Sequence, residues 1–151
     1  AADLSGVHVI GYSDGGNVGL LLARDAPELF TQVVAISPNT LVTGMTEDSL
    51  VMIRKIHRTM TGLARIGIPI NRYRKCFEMM LSDVGITDEE LRSIQTSVKI
   101  LYAENDMVRE EHIQHIANLI PQVQLERIDG CSHVSIFNNK QTLTSIQHFF
   151  T

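Results

Sequence analysis

The feature that most constrains the fold is a ten-residue stretch, residues 7–16, in which an apolar run leads into a serine flanked by glycines. Its sequence, VHVIGYSDGG, contains the pattern Gly-x-Ser-x-Gly around Ser13. This pattern is typical of a sharp strand-to-helix turn that exposes a nucleophilic serine at the carboxyl edge of a sheet. A Cβ atom at Gly11 or Gly15 is expected to collide with the turn or with the following helix. The stretch therefore predicts a buried strand, a tight turn and a nucleophile, Ser13.

The residues after the motif fit this interpretation. Residues 15–24 carry an apolar face at helical spacing, as a helix that follows the turn should. A second apolar run, residues 32–37, comes next and is closed by Pro38 and Asn39. Two strands around one helix form a βαβ unit, in which the strands are parallel and their carboxyl ends share one edge of the sheet. Ser13 is thus expected at that edge.

The long middle stretch, about residues 40–96, is predicted to be helical. Its first apolar face has helical spacing and consists of Leu50, Ile53, Ile56, Met60 and Leu63. Residues 67–69, Gly-Ile-Pro, should end that helix, and a second helix is expected to continue through Val84. A third should begin at a capping box, with Thr87 as the N-cap and Glu90 reaching back to it. Because this stretch lies between two strands, its helices are expected to cap the strand ends.

Alternation of strands and helices returns after the middle stretch. Residues 97–103 and 123–128 are predicted to be strands, the second of them at the sheet edge. Residues from about 109 to 120 should form a helix that stops at Pro121, and the chain should end in a further helix. Residues 1–6 resemble the end of a helix and a turn.

The composition argues against several classes of function. With 151 residues, 44% of them hydrophobic, and no long uncharged apolar run, the chain is expected to be a soluble domain that neither spans nor binds a membrane. Its net charge of -4, without a cluster of basic and aromatic residues, argues against a nucleic-acid partner. Cys76 and Cys131 are too few for a disulfide scaffold, which favours free thiols and a cytoplasmic location.

Neither the glycines nor the histidines and cysteines indicate a cofactor. The glycines of residues 11–16 match neither a dinucleotide-binding fingerprint nor a phosphate-binding loop. His112 and His115 have the spacing of two metal ligands on a helix, but no third ligand accompanies them. We therefore expect no cofactor and no metal.

A serine nucleophile needs a base within hydrogen-bond reach and a carboxylate that orients the base. The expected base is His133, because it alone among the histidines lies in a glycine-containing loop after a strand. The acid has three candidates, Glu104 and Asp106 after the third strand and Asp129 after the fourth. With Asp106, the chain order of serine, acid and histidine is the one expected for such a triad on a parallel sheet.

Three segments resemble the signature loops of the α/β-hydrolase superfamily: residues 11–16 (GYSDGG), 104–106 (END) and 130–133 (GCSH). The resemblance extends over essentially the whole chain and is greatest to small microbial hydrolases with a modest helical cap. It implies a three-layer α/β fold whose parallel sheet comprises the last four of the usual eight strands. It places the helical cap at about residues 40–96, between the second and third strands, and it favours Asp106 as the acid.

The resemblance implies a serine hydrolase that acts on a small to medium carboxylic ester or related acyl compound through an acyl-enzyme on Ser13. The backbone N–H of Asp14 should then stabilise the oxyanion, and Tyr12 is expected to contact the substrate. The Asp14 carboxylate is interpreted as a charge that complements the helix N-terminus. The same superfamily includes acyltransferases, C–C bond hydrolases, lactonases, peptidases and non-catalytic ligand-binding members, so these remain alternatives.

In the superfamily, a second oxyanion donor comes from a loop that precedes the nucleophile strand, and no corresponding segment precedes Val7 in this sequence. That strand also lies in mid-sheet in the superfamily, so here it would expose an apolar edge that invites association. We therefore expect residues 1–151 to be the C-terminal part of one α/β-hydrolase domain. A preceding segment, or another polypeptide bound at the open edge, should complete it.

Overall fold

The computed structural model describes residues 6–151, so the helix end and turn predicted for residues 1–6 lie outside the described residues, apart from Gly6. Its centre is one sheet in which every neighbouring pair of strands is parallel. In spatial order the strands are β1 (Val7–Tyr12), β2 (Phe30–Ile36), β3 (Ser97–Asn105) and β4 (Val123–Ser132). Because all the strands run in one direction, their carboxyl ends lie along a single edge, as the sequence predicts.

Helices connect the strands and cover the sheet. In chain order they are α1 (Asp14–Asp25), α2 (Glu47–Arg65), α3 (Asn71–Met79), α4 (Asp88–Ser93), α5 (Glu110–Leu119) and α6 (Lys140–Phe150). Three of them, α2 to α4, lie in the long connection between β2 and β3. Within the described residues, no helix has the length and apolar character needed to cross a membrane.

The hydrophobic core has two parts, one on each face of the sheet. Alternate strand residues point to opposite faces, so Val33 and Ile100 pack with one set of helices while Val34 and Leu101 pack with the other. The first part includes residues of α1, α4 and α5, and the second includes residues of α6. The three-layer α/β architecture predicted from the sequence is confirmed.

The end of α3 differs from the prediction. The apolar pattern predicts a helix that continues through Val84, but α3 ends at Met79. Beyond it the chain returns to the sheet: the Val84 N–H donates to the carbonyl of Thr40 at 3.0 Å, and the Asp83 carboxylate accepts from the Val42 N–H at 2.7 Å. These contacts with residues that follow β2 replace further helical turns.

The start of α4 follows its prediction. The Thr87 hydroxyl accepts from the Glu90 N–H at 3.2 Å, and the Glu90 carboxylate accepts from the Thr87 N–H at 2.8 Å. Both bonds of the predicted capping box are therefore present, and they satisfy two backbone donors at the helix N-terminus.

Strand β1 is less buried than predicted. Its apolar sequence predicts a buried strand, but the Ile10 side chain is 52% exposed. Within residues 6–151, β1 pairs with β2 on one side only, so its other edge is open. A strand is buried only when neighbours cover it, and here the pattern alone predicts the wrong degree of burial.

Candidate active site

Ser13 lies between β1 and α1 in a strained backbone conformation, with φ 54° and ψ -120°. Its N–H donates to the carbonyl of Ile36 on β2 at 2.8 Å, and its own carbonyl accepts from the Gly16 N–H at 2.8 Å. A non-glycine residue keeps a positive φ only where its surroundings enforce it. The hydrogen bonds to β2 and α1 provide that constraint and hold Ser13 at the carboxyl edge of the sheet.

The glycines around Ser13 are not equivalent. A Cβ atom on Gly11 would lie 1.9 Å from the carbonyl oxygen of Gly15, so the predicted collision is confirmed there. For Gly15 the prediction is wrong, because apart from its chain neighbours and the adjacent backbone of α1 a Cβ atom on it would meet no described atom within 4 Å. The close approach falls one residue later, where a Cβ atom on Gly16 would lie 3.2 Å from the Ile36 carbonyl oxygen.

This difference can be tested with two alanine substitutions. We expect Gly11→Ala to lower the free energy of unfolding by about 3 kcal/mol or more, since its methyl group would overlap a backbone carbonyl that cannot move aside. Gly15→Ala has room and lies within α1, where alanine is the better helix former, so its stability should equal or exceed that of the wild type. Denaturant titration measures both, and equal stability of the two variants would contradict the steric argument.

His133 follows β4 and brings its buried ring to Ser13. Its Nε2 lies 3.1 Å from the Ser13 Oγ, and its Nδ1 lies 2.7 Å from the Asp106 Oδ1. The hydroxyl of Tyr12 donates to the His133 backbone carbonyl at 2.7 Å. Burial and the nearby charge of Asp106 raise the pKa of Tyr12, so this hydroxyl stays protonated and can act as the donor. Tyr12 therefore holds the loop of His133 in place.

Asp106 lies in the loop after β3 and receives hydrogen bonds on both carboxylate oxygens. Its Oδ1 accepts from His133 and from the Val108 N–H at 3.2 Å. Its Oδ2 accepts from the Ser37 hydroxyl at 2.6 Å and from the Ala103 N–H at 2.9 Å. Burial by itself raises the pKa of Asp106, but the hydrogen bonds, led by those from His133 and Ser37, outweigh it and lower the pKa. The group is therefore ionised at neutral pH and held in one orientation.

The other two candidate acids are engaged elsewhere. The Glu104 carboxylate accepts from the Gly130 N–H at 2.9 Å. Asp129 forms an ion pair with Arg127 at 2.9 Å on the exposed side of β4. Of the three candidates, Asp106 is the one that the structure brings to His133.

Asp14 opens α1 beside Ser13. Within residues 6–151 its backbone N–H has no hydrogen-bond acceptor. It is the first N–H group of α1, a helix of 12 residues. Such an N-terminus favours a negative charge, because its first N–H groups have no partners within the helix. The Asp14 side chain is exposed and accepts a long hydrogen bond, 3.4 Å, from Asn17. The backbone of Asp14 can thus provide one donor to an oxyanion on a Ser13 adduct.

A cavity of about 40 Å³ lies next to Ser13 and His133. Its apolar walls come from Met45, Met79, Met80, Val84, Met107 and Val108. A larger, open groove of about 540 Å³ lies beside it between α1 and the end of α3, and the two share Asp14 and Asn17 among their lining residues. The cavity therefore adjoins the groove, and the lining of the groove is mostly apolar.

Ser37 and Asn39 are site residues that sequence reasoning missed. Ser37 is bonded to Asp106, and the Asn39 N–H donates to the buried Asn17 side chain at 2.7 Å, which ties the loop after β2 to α1. The only signal in the sequence is their position directly after a strand, at the edge where the other site residues gather. That position suggests proximity, but it does not identify a partner.

No protein-family model matches the sequence, and no curated protein matches it. Several solved structures match the fold. The 2-hydroxy-6-oxo-6-phenylhexa-2,4-dienoate hydrolase of Rhodococcus sp. strain RHA1 is 16% identical, with a TM-score of 0.74 over 98% of this chain and 65% of that one. The meta-cleavage product hydrolase of Pseudomonas fluorescens IP01 is 17% identical, with a TM-score of 0.72 over 98% of this chain and 65% of that one.

A third match is an α/β hydrolase from a sediment metagenome of the Mar Chica lagoon in Morocco, 19% identical, with a TM-score of 0.67 over 97% of this chain and 61% of that one. The chain thus spans 61% to 65% of the lengths of these three proteins. Its parallel sheet and flanking helices have the fold of the α/β-hydrolases.

Proposed function

We propose that the protein is a serine hydrolase that acts on small to medium carboxylic esters. The observation that carries this proposal is one continuous chain of hydrogen bonds from the Ser13 hydroxyl through the His133 imidazole to the Asp106 carboxylate. A hydroxyl, a base and an orienting carboxylate in this arrangement perform acyl transfer on several unrelated folds.

In the proposed mechanism His133 takes the proton from the Ser13 Oγ as that oxygen attacks the ester carbonyl carbon. The Asp14 N–H stabilises the negative charge that develops on the carbonyl oxygen. His133 then gives its proton to the departing alkoxide, which leaves an acyl group on Ser13. Asp106 keeps the Nδ1 of His133 protonated and stabilises the imidazolium. Water, deprotonated by His133, releases the acid and restores Ser13.

The apolar side chains beside Ser13 favour the binding of an uncharged acyl group. Within the described residues, the cavity of about 40 Å³ has no lysine or arginine in its lining, while Lys75 lines the open groove beside it. The enclosed part suits a short chain, and the open groove beside it gives a longer chain room to extend.

A C–C bond hydrolase is a second candidate, because two of the similar structures are named as hydrolases of a meta-cleavage product and of a 2-hydroxy-6-oxo-dienoate. The compound named in the Rhodococcus enzyme is a dienoate and so carries a carboxylate. We favour the ester over this alternative, because the described lining of the cavity beside Ser13 contains no lysine or arginine and Lys75 lies in the open groove instead.

The test is hydrolysis of p-nitrophenyl acetate, butyrate and octanoate by the full-length protein, next to a 2-hydroxy-6-oxo-dienoate substrate. Release of p-nitrophenol, fastest for one of the two shorter esters and accompanied by covalent labelling with a fluorophosphonate, supports the proposal. Cleavage of the dienoate alone would favour the second candidate. Stabilisation by a ligand without turnover would indicate a non-catalytic binding protein.

We also propose that a further strand covers the open edge of β1 in the active protein, supplied either by a preceding segment or by another polypeptide. Within residues 6–151 the second edge of β1 pairs with no strand, and the apolar Ile10 side chain on its face is exposed; both support the proposal, since an unpaired edge is a template for strand pairing. A second oxyanion donor could come with that strand. Native mass spectrometry of the active species gives its chain length and composition, and a 151-residue monomer with full turnover would contradict the proposal.

A further inference from the structure

Ser37, directly after β2, shares the positive φ of Ser13. Its φ is 50°, and these two serines are the residues other than glycine with a positive φ in the described part of the chain. The Ser37 N–H donates to the carbonyl of Leu101 on β3 at 2.7 Å, just as the Ser13 N–H donates to the carbonyl of Ile36 on β2. Each serine is thus anchored to the next strand of the sheet.

The Ser37 hydroxyl is buried and donates to the Asp106 Oδ2 at 2.6 Å. The Ala103 and Val108 N–H groups that also bind Asp106 belong to the end of β3 and the same loop, so they move with it. Ser37 binds this carboxylate from the end of β2, and β2 pairs with β1, the strand that leads into Ser13. The torsion that rotates a carboxylate is soft, so a donor anchored at the end of a neighbouring strand can fix its orientation together with the donors of its own loop.

The backbone conformation of Ser37 favours glycine, so the presence of a serine there needs a separate explanation. A positive φ is a conformation that glycine adopts without strain, whereas a serine is strained in it. Strain of this kind persists where the surroundings enforce it, and here the Oγ has a short bond to the Asp106 carboxylate. The hydroxyl, rather than the shape of the turn, therefore accounts for a serine at this position.

We propose that Ser37 is a positioning residue, whose hydroxyl holds the Asp106 carboxylate in the plane where its Oδ1 faces the Nδ1 of His133. This inference rests on the proposed hydrolase function of Ser13, His133 and Asp106. Ser37 contacts no reacting atom in this scheme and acts through Asp106.

The first test compares Ser37→Ala with Ser37→Gly in the full-length protein. Loss of a hydrogen bond to a charged group should lower kcat for p-nitrophenyl butyrate about 10-fold in both variants, with KM within about twofold of the wild type. Their melting temperatures should differ, because glycine relieves the backbone strain and alanine does not. Ser37→Gly should melt at a higher temperature than Ser37→Ala while losing as much kcat, whereas a merely structural role would make kcat fall in step with Tm across the two variants.

The second test does not depend on turnover. At a pH low enough to protonate His133, the proton between its Nδ1 and Asp106 should give a far-downfield proton NMR signal, absent from Asp106→Asn. In both Ser37 variants we expect this signal to move upfield or broaden. Ser145→Ala is the matched control, since the hydroxyl of Ser145, a residue of α6, also donates to a carboxylate, that of Glu126. It should change neither the signal nor kcat.

Failure of the two proposals can be told apart. If the wild type neither hydrolyses esters nor reacts with a fluorophosphonate at Ser13, the proposed function fails, and the NMR signal still tests the role of Ser37. If the wild type is active, while Ser37→Gly folds with unchanged kcat and an unchanged signal, the positioning role is overturned. Should Ser37→Ala fail to fold, Ser37→Gly alone carries the comparison.

Discussion

Replacing Ser13 with alanine is expected to reduce kcat for ester hydrolysis by about 10⁶-fold and to abolish covalent labelling by a fluorophosphonate. The Ser13 Oγ is the atom that would form the acyl bond, and the hydroxyl 3.1 Å from the His133 Nε2 is what that base would deprotonate. Without it, neither an acyl-enzyme nor a phosphonylated enzyme can form. Hydrolysis rates and the intact mass of the protein after reaction with the probe measure the two effects.

A second serine serves as the control. Ser93 also carries a hydroxyl with a local hydrogen bond, but it lies exposed on α4, where its hydroxyl donates to the Glu90 carbonyl. Ser93→Ala should therefore keep wild-type rates and labelling. Labelling of the Ser13→Ala variant at full stoichiometry would show that another residue is the nucleophile.

The next largest effect is expected for Asp106→Asn, which should lower kcat by about 10⁴-fold, as the loss of the orienting carboxylate does in serine proteases. The amide keeps the shape of the side chain, but it no longer stabilises a proton on the His133 Nδ1 or the imidazolium that forms during attack. Because hydrogen bonds from His133 and Ser37 lower the pKa of Asp106, the wild-type group is ionised through the neutral range and supplies both effects there. Steady-state rates at pH 7 to 8 measure the loss.

Glu104 and Asp129, the two candidate acids that do not contact His133, provide controls for Asp106→Asn. Glu104→Gln and Asp129→Asn remove carboxylates that bind the Gly130 N–H and Arg127, away from the His133 ring. Their rates should stay within a few-fold of the wild type. A loss for either that matches the loss for Asp106→Asn would refute the choice of Asp106.

Local signals in the sequence predicted much of the fold correctly. The capping box depends on Thr87 and Glu90, three residues apart, and it appears in the structure as predicted. The apolar runs likewise identify β1 to β4, because alternation along a strand is a property of neighbouring residues. The order of strands and helices then implies parallel pairing, since a strand reached through a crossover helix runs parallel to the first.

The resemblance to the α/β-hydrolases added the choice of Asp106 among three carboxylates that the pattern of residues left open. The structure brings that residue to His133, and it does so through the end of β3 and the loop after β4. The spacing of residues along the chain contains no information on which of several loop carboxylates turns inward.

By itself, the sequence determined the succession of strands and helices, the turn around Ser13 and the edge of the sheet where Ser13 and His133 lie, because these follow from contacts between near neighbours and from the direction of parallel strands. Only the tertiary structure decided where α3 stops, how exposed β1 is, that Gly16 rather than Gly15 is crowded, and that Ser37 binds Asp106. Each of these depends on atoms of residues distant in sequence, whose separation is set by the packing of the whole sheet.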